Sequence, residues 1–459
     1  MAGKNILIFS DGTGQACGLL PDERRSNIYK LFRATRIGPD SSIDPAEQLA
    51  FYDPGLGTQA LGSTTPVRLW RWVYNKVSQA MGLGLTANII DCYAAILTLW
   101  EPGDRIYLFG FSRGAYTVRC LGAVLGLCGV PTTMKDGTPL RRDPKTTRAI
   151  AEEAVKKIYQ HVSSPKDEAY LEQRRALAAR FRAQHGSDAE GRANAIPYFI
   201  GVFDTVAALG SYSLMALLIA AAVVVMALAA GLLSLLAYTP TFWFGLLAVA
   251  AAILGLIGFF NTYVKYAVGL EGYTFWETLH VTHLKMKFYD NQLNPDVPYA
   301  KHALSIDENR ADFARVPWTN EGMNNQGGRF EQVWFAGNHS DVGGSYPENE
   351  SRLSDIALKW MVEAAQAVPH GIRIDGDVLQ LYPSSTGPQH DECKSGRFGH
   401  FWEKGRRDVP ENAVLHASVK ERFAHPAVLH YDEMKPYRPE NLRRHREVRQ
   451  YYEDGSGGG

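Results

Sequence analysis

The stretch LFGFSRGAYTVR, Leu108 to Arg119, sets a serine between two glycines where an apolar run stops and a helical pattern starts. Before it, Arg105-Ile106-Tyr107-Leu108-Phe109 crowds β-branched and aromatic residues behind the turn-forming Glu101-Pro102-Gly103-Asp104, which predicts a short buried strand. After it, Arg113 to Leu127 carries Val118, Leu121, Val124 and Leu125 at three- and four-residue intervals, which predicts a helix with one apolar face. Ser112 therefore sits at a strand-to-helix corner. In a G-x-S-x-G elbow the turn is tight enough to demand small neighbours, so Gly110 and Gly114 would let strand and helix approach while the Ser112 hydroxyl stays exposed. The backbone N–H of Arg113, at the helix N-terminus, would face a developing oxyanion. Ser112 is the expected nucleophile.

A serine nucleophile needs a base and a group to orient that base, and after an elbow of this kind they follow as acid and then histidine. The acid belongs at a strand end. Ala195 to Phe203 reads as such a strand and Asp204 follows it directly. The base belongs in a late loop. Phe330 to Phe335 reads as the last strand, and Ala336 to Gly344 as a loop of residues that tolerate unusual backbone angles, with His339 inside it. Asp341 would either support this loop or orient His339 in place of Asp204. The first strand, Asn5 to Ser10, runs into Asp11-Gly12-Thr13-Gly14, whose Gly12 and Thr13 N–H groups would complete an oxyanion hole, with Asp11 in support. An aspartyl phosphatase, which also uses DGT, would need a second acid where this chain has Phe9. His280 and His283 share a predicted helix face, but no carboxylate cluster accompanies them, so they read as packed or solvated. No metal or cofactor is expected.

Composition narrows the alternatives. In 459 residues, Lys+Arg and Asp+Glu balance at 48 each, which gives no field for nucleic acid. Five scattered cysteines without a CxxC pair suit neither a disulfide framework nor a zinc site. From Thr205 to Val264 there is no charged residue. Within that run Leu214 to Leu236 and Phe242 to Phe260 each approach the roughly 20 residues that cross a bilayer. Tyr238, Trp243 and Tyr263 fall near the ends, where interfacial aromatics belong.

The expected fold is α/β, a mostly parallel α/β-hydrolase-like sheet with helices on both faces, interrupted by a transmembrane helical hairpin. Residues 1–134 would form the first part of the core with the elbow, 135–194 a charged helical insertion or cap, and 195–209 the strand bearing the acid. Residues 210–264 would be the hairpin, 265–442 the rest of the core, and 443–459 a polar tail with a glycine-rich, linker-like end. Both flanks of a hairpin emerge on one side, and their many Lys and Arg residues favour the cytoplasmic face of a bacterial inner membrane.

Several motifs in order, SDGTGQ (10–15), FYDPGLGT (51–58), GFSRGAY (110–116), GVFDTV (201–206), KHALSIDENR (301–310), VWFAGNHSDVGG (333–344) and KERF with YRPENL (420–442), resemble the bacterial and fungal α/β-hydrolase family that includes phospholipase effectors of type VI secretion. The resemblance implies hydrolysis of phospholipid acyl esters by Ser112, Asp204 and His339, with a phospholipid membrane as partner and a homo-oligomer or a regulatory or immunity protein left open. It leaves Asp307, Glu308 and Arg310 between an ion-pair cluster and a substrate edge. The rivals are hydrolysis of another acyl ester or thioester, and a membrane-perturbing hairpin on an inert hydrolase fold.

Overall fold

The computed structural model describes residues 3–12, 24–55, 83–206, 212–235, 238–282, 292–311, 313, 315–319, 328–394 and 403–453. Strands β1 (Asn5–Ser10), β2 (Gln48–Asp53), β3 (Arg105–Phe111), β4 (Pro197–Phe203), β5 (Tyr299–Ser305), β6 (Phe330–Phe335) and β7 (Val414–Leu415) form one sheet. Their spatial order is β7-β6-β5-β4-β3-β1-β2, and every neighbouring pair is parallel.

The apolar strand sequences follow from burial on both faces. Alternate residues serve alternate cores: Ile6, Ile8, Ile106, Leu108, Ile200 and Val202 face one, and Leu7, Phe9, Tyr107, Phe109, Phe199 and Phe203 the other. The first core is closed by helix Arg113–Cys128 through Val118, Leu121, Val124 and Leu125, the face foreseen from its spacing. The second is closed by helices Asn27–Thr35 and Arg352–Ala367, through Ile28, Leu31, Leu353, Ala357 and Met361.

The charged segment after the elbow helix contributes helix Pro144–Glu152, N-capped by the Asp143 side chain, and helix Leu171–His185, ended by Gly186 at φ 61°. Their apolar residues Ile150, Ala151, Leu177 and Phe181 join the first core, so these helices form an outer wall of the layer over the sheet. Two expectations need correction. Phe330–Phe335 is the penultimate strand of the seven-stranded sheet; that sheet's last, Val414–Leu415, is a two-residue edge strand, too short to produce an alternating pattern. His280 lies on a two-residue strand with Val281, not on a helix, and its ring stacks on Tyr170 with centroids 3.7 Å apart. His283 lies outside the described residues.

Helix Tyr212–Leu233 and helix Pro240–Tyr263, N-capped by the Thr239 side chain, pack against each other. Among the described residues one helix, Pro240–Tyr263, is long and apolar enough to cross a membrane. Val224, Leu228, Leu232, Val249, Ile253 and Phe260 all stand exposed on the pair. Cys92, Cys120, Cys128 and Cys393 are buried free thiols.

Candidate active site

Strand β1 pairs with β2 on one side and β3 on the other, so the chain order reverses between β1 and β3. Ligand crevices open beyond the carboxyl ends of strands at such a reversal. Here those ends are Asp11-Gly12 after β1 and Ser112 after β3. Ser112 has φ 59° and ψ −121°, a strained conformation for a residue with a side chain, and begins the helix at Arg113. The corner is as crowded as its sequence requires. A Cβ at Gly110 would lie 2.5 Å from Gly114 O, and one at Gly114 would lie 2.0 Å from Ser10 O.

The Ser112 N–H donates to Phe203 O at 3.1 Å, which ties the elbow to the end of β4. The next residue, Asp204, turns off the strand at φ 40° and is fully buried. Its Oδ1 accepts from Ser305 N at 2.9 Å and its Oδ2 from His339 Nδ1 at 2.5 Å. That donation leaves Nε2 as the basic nitrogen of the neutral ring. Thus the structure brings together the predicted acid and base, 135 residues apart in the chain.

His339 opens the short helix His339–Gly343, capped by the Asn338 side chain. Its ring stacks on Phe111, centroids 4.6 Å apart, and meets the edge of Phe313 at 5.1 Å. Because Phe111 immediately precedes Ser112, the stack carries the imidazole to the elbow. Gly343 makes this approach feasible, since a Cβ there would fall 1.9 Å from the Phe111 ring. No hydrogen bond joins Ser112 Oγ to the imidazole among the described residues, and catalytic contacts commonly tighten only once substrate is bound.

The KHALSIDENR motif explains itself in this setting. Glu308 accepts from the His339 N–H at 3.1 Å and is gripped by Arg310 at 2.7 and 2.8 Å. Burial works to raise the Glu308 pKa, but Arg310 outweighs it and holds the carboxyl below its ordinary value. Asp307 accepts from Gly337 N and from Tyr437 OH, each at 2.7 Å, and burial pushes its pKa up to about 6. Both carboxylates brace the histidine loop.

Asp341 also braces the loop and makes no contact with His339 among the described residues. Its Oδ2 accepts from Asn338 N and His390 N at 3.0 Å, and its Oδ1 from His390 Nδ1 at 2.7 Å. Of its two expected roles it takes the supporting one, because Asp204 occupies Nδ1.

At Gly12 the structure differs from the expected oxyanion donor. Its N–H donates to the Asp11 carboxylate at 2.7 Å and is therefore already engaged. Asp11 is further held by Ser26 Oγ and by Tyr52 OH at 2.8 Å, and burial lifts its pKa to about 6 against those hydrogen bonds. The Gly12 backbone nonetheless lies beside the serine, since a Cβ on it would be 3.3 Å from Ser112 Cβ. Arg113 occupies the first helical position, as expected, and Thr13 lies outside the described residues.

One residue of the site had no signal in the sequence. Arg407, buried, donates from NH1 to Asp204 Oδ1 at 2.5 Å and from NH2 to Asp204 Oδ2 at 2.9 Å. Burial pulls the Asp204 pKa upward, but Arg407 and His339 outweigh it and hold the carboxyl well below the usual carboxylate range. Arg407 sits in a segment without regular structure, where one arginine among several cannot be told from a solvated one.

A seven-stranded parallel sheet with helices on both faces, carrying a strained elbow serine at its reversal point and a buried Asp–His pair after two later strands, defines an α/β protein with a candidate Ser-Asp-His site. The chain belongs to the family of the type VI secretion phospholipase effector Tle1-like catalytic domain, whose model matches residues 4–234 and 250–364. The match runs through the first apolar helix and resumes inside the second. An uncharacterized protein of Saccharomyces cerevisiae is 29% identical over 212 residues, 46% of this chain and 27% of that protein. An uncharacterized protein from Pseudomonas aeruginosa of known structure aligns at 16% identity over 83% of this chain and 48% of its own, with a TM-score of 0.36. The Tle1 effector bound to the VgrG spike of the type 6 secretion system aligns at 16% identity over 77% of this chain and 53% of its own, with a TM-score of 0.31. The chain thus spans about a quarter of the curated relative and about half of each solved structure.

Proposed function

We propose that this protein is a membrane-anchored serine hydrolase that cleaves acyl esters of phospholipids, a phospholipase A. The carrying observation is the buried hydrogen bond from His339 Nδ1 to Asp204, with the imidazole stacked on the residue that precedes the elbow serine. In the proposed reaction Nε2 takes the Ser112 hydroxyl proton as Oγ attacks the ester carbonyl. The Arg113 N–H receives the oxyanion, joined by Gly12 once its N–H leaves Asp11. The protonated imidazole returns its proton to the departing lysophospholipid oxygen. Water, deprotonated by the same nitrogen, then releases the fatty acid and restores the serine.

The lipid part of the reading is supported by family membership and by the apolar helix pair. Exposed Val, Leu, Ile and Phe on both helices, from Ile219 to Leu232 on the first and Phe242 to Phe260 on the second, suit an apolar solvent. Immediately after Tyr263 the chain returns to the core carrying Tyr266, Phe275 and Trp276, the last 77% exposed, which suits the bilayer interface at the foot of a hairpin. With both flanks on one side, the catalytic part would occupy one face of the membrane, the cytoplasmic one by its Lys and Arg content. A site held at the surface of its own substrate gains effective concentration.

Phospholipid vesicles with different acyl chains at sn-1 and sn-2 test the proposal, with fatty acid and lysolipid read by mass spectrometry. Wild type is expected to release one chain and Ser112→Ala to lose at least about 10⁴-fold in rate. If both proteins insert and neither releases acyl chains, phospholipids are not the substrate. If both hydrolyse alike, Ser112 is not the nucleophile.

A further inference from the structure

Asp204 is held more tightly than orientation of a histidine requires. Each of its oxygens accepts one hydrogen bond from Arg407, at 2.5 and 2.9 Å, beside one from Ser305 N or from His339. Arg407 is itself fixed. Its NH2 also donates to Phe313 O at 3.0 Å, and its carbonyl accepts from Asn441 Nδ2 at 3.3 Å. A fork-to-carboxylate contact sets both the position and the plane of the acid, which a point-like cation cannot do. It also places a positive charge on the same buried carboxylate that holds the imidazole, where solvent screening is weak.

We propose that Arg407 is a positioning residue of the Asp204–His339 pair: it fixes the carboxylate plane that meets Nδ1 and supplies the charge that keeps a proton off the pair in mildly acidic medium. This rests on the serine-hydrolase reading above. Whichever partner would take the proton, removing a buried positive charge makes the pair easier to protonate.

The other charged groups around the pair leave this assignment to Arg407. Glu308, on the His339 N–H, is paired with Arg310 and feels Arg407 as a weaker, more distant charge. His302, bonded to Thr205, is kept neutral by burial, which pulls its pKa down to about 3. Arg315 acts on Asp204 from further away and is turned toward the Asp408 carbonyl and the Trp334 ring. Asp341 is matched by His390. Asp307, pushed by burial to about 6, braces Gly337 and is acted on by Arg422 and Asp341, so it is expected to titrate alike in wild type and Arg407 variants and to cancel from the difference between their profiles.

The test is the pH profile of kcat/KM from pH 5 to 9 on p-nitrophenyl butyrate in detergent micelles, for full-length wild type, Arg407→Gln and Arg407→Lys. Gln keeps a hydrogen bond and loses the charge; Lys keeps the charge and loses the fork. Arg407→Gln is expected to move the acid limb upward by about one pH unit and to lower kcat at least about tenfold, with KM little changed. Arg407→Lys is expected to leave the limb near the wild-type position while lowering kcat through misorientation. A limb that stays in place in a folded Arg407→Gln protein would overturn the charge role. If that variant does not fold, Arg407→Lys decides: an unchanged kcat overturns positioning, and an upward limb shift overturns the charge role. Ser112→Ala run alongside separates the two levels, because hydrolysis that survives it removes the serine reading itself, whereas its loss with an unmoved limb removes the Arg407 proposal alone.

Discussion

Asp204→Asn is expected to lower kcat by about 10⁴ and, in the same protein, to cost about 3–5 kcal/mol of stability. The first effect has the familiar cause. An amide at this position presents either its oxygen or its NH2 to Nδ1, so the ring no longer reliably offers Nε2 as base. The second is particular to this molecule, because the amide leaves the buried Arg407 guanidinium without its countercharge. A denaturant titration of each single variant and of Asp204→Asn with Arg407→Met separates the two effects. The double variant is expected to recover most of the lost stability, since both charges are gone together, and none of the activity. If Asp204→Asn is as stable as wild type, the clamp does not hold in solution. If it keeps wild-type kcat, Asp204 is not the orienting acid.

Gly114→Ala is expected to cost more than about 3 kcal/mol or to abolish folding. Its Cβ would fall 2.0 Å from Ser10 O and 2.7 Å from Asp11 O, both backbone atoms of the strand end that forms the other lip of the site. No side-chain rotation relieves that overlap, so the elbow helix would have to lift off β1. Gly12→Ala makes the contrast. Its Cβ meets Ser112 Cβ at 3.3 Å and Phe111 Cδ1 at 3.4 Å, distances that a shift of a few tenths of an ångström accommodates. It is expected to cost no more than about 1 kcal/mol yet lower kcat at least about tenfold, because the shift is made by the serine. Thermal unfolding and vesicle hydrolysis on the same samples read both. A Gly114→Ala protein that unfolds at the wild-type temperature would contradict the close approach of helix and strand at the elbow.

The parts legible in the sequence were those with a short-range pattern. The elbow, its strand and its helix lie within some twenty residues, and the glycine spacing is a direct record of a steric demand. Asp204 and His339 became candidates because Asp204 directly follows one recognisable apolar strand and His339 lies in the loop after another. Arg407 was hidden because its meaning depends entirely on a contact across 203 residues with no periodic element on its side. The edge strand Val414–Leu415 and the short strand at His280 were hidden for another reason: two residues cannot display an alternation. Gly12 shows a third kind of blindness, since the Asp11 side chain that takes its N–H is its immediate neighbour and the competition between side chain and ligand is a matter of torsion angles.

The candidate site's residues are spread along the chain in the order elbow serine, candidate acid, candidate base, clamp. A ribosome delivers Ser112, Asp204 and His339 before Arg407, and later still Tyr437, which holds Asp307, and Asn441, which holds Ile306 and the clamp's own carbonyl. A growing chain therefore carries the candidate triad while the residues that align it are still being made. The candidate site can come into register only after those later residues are added.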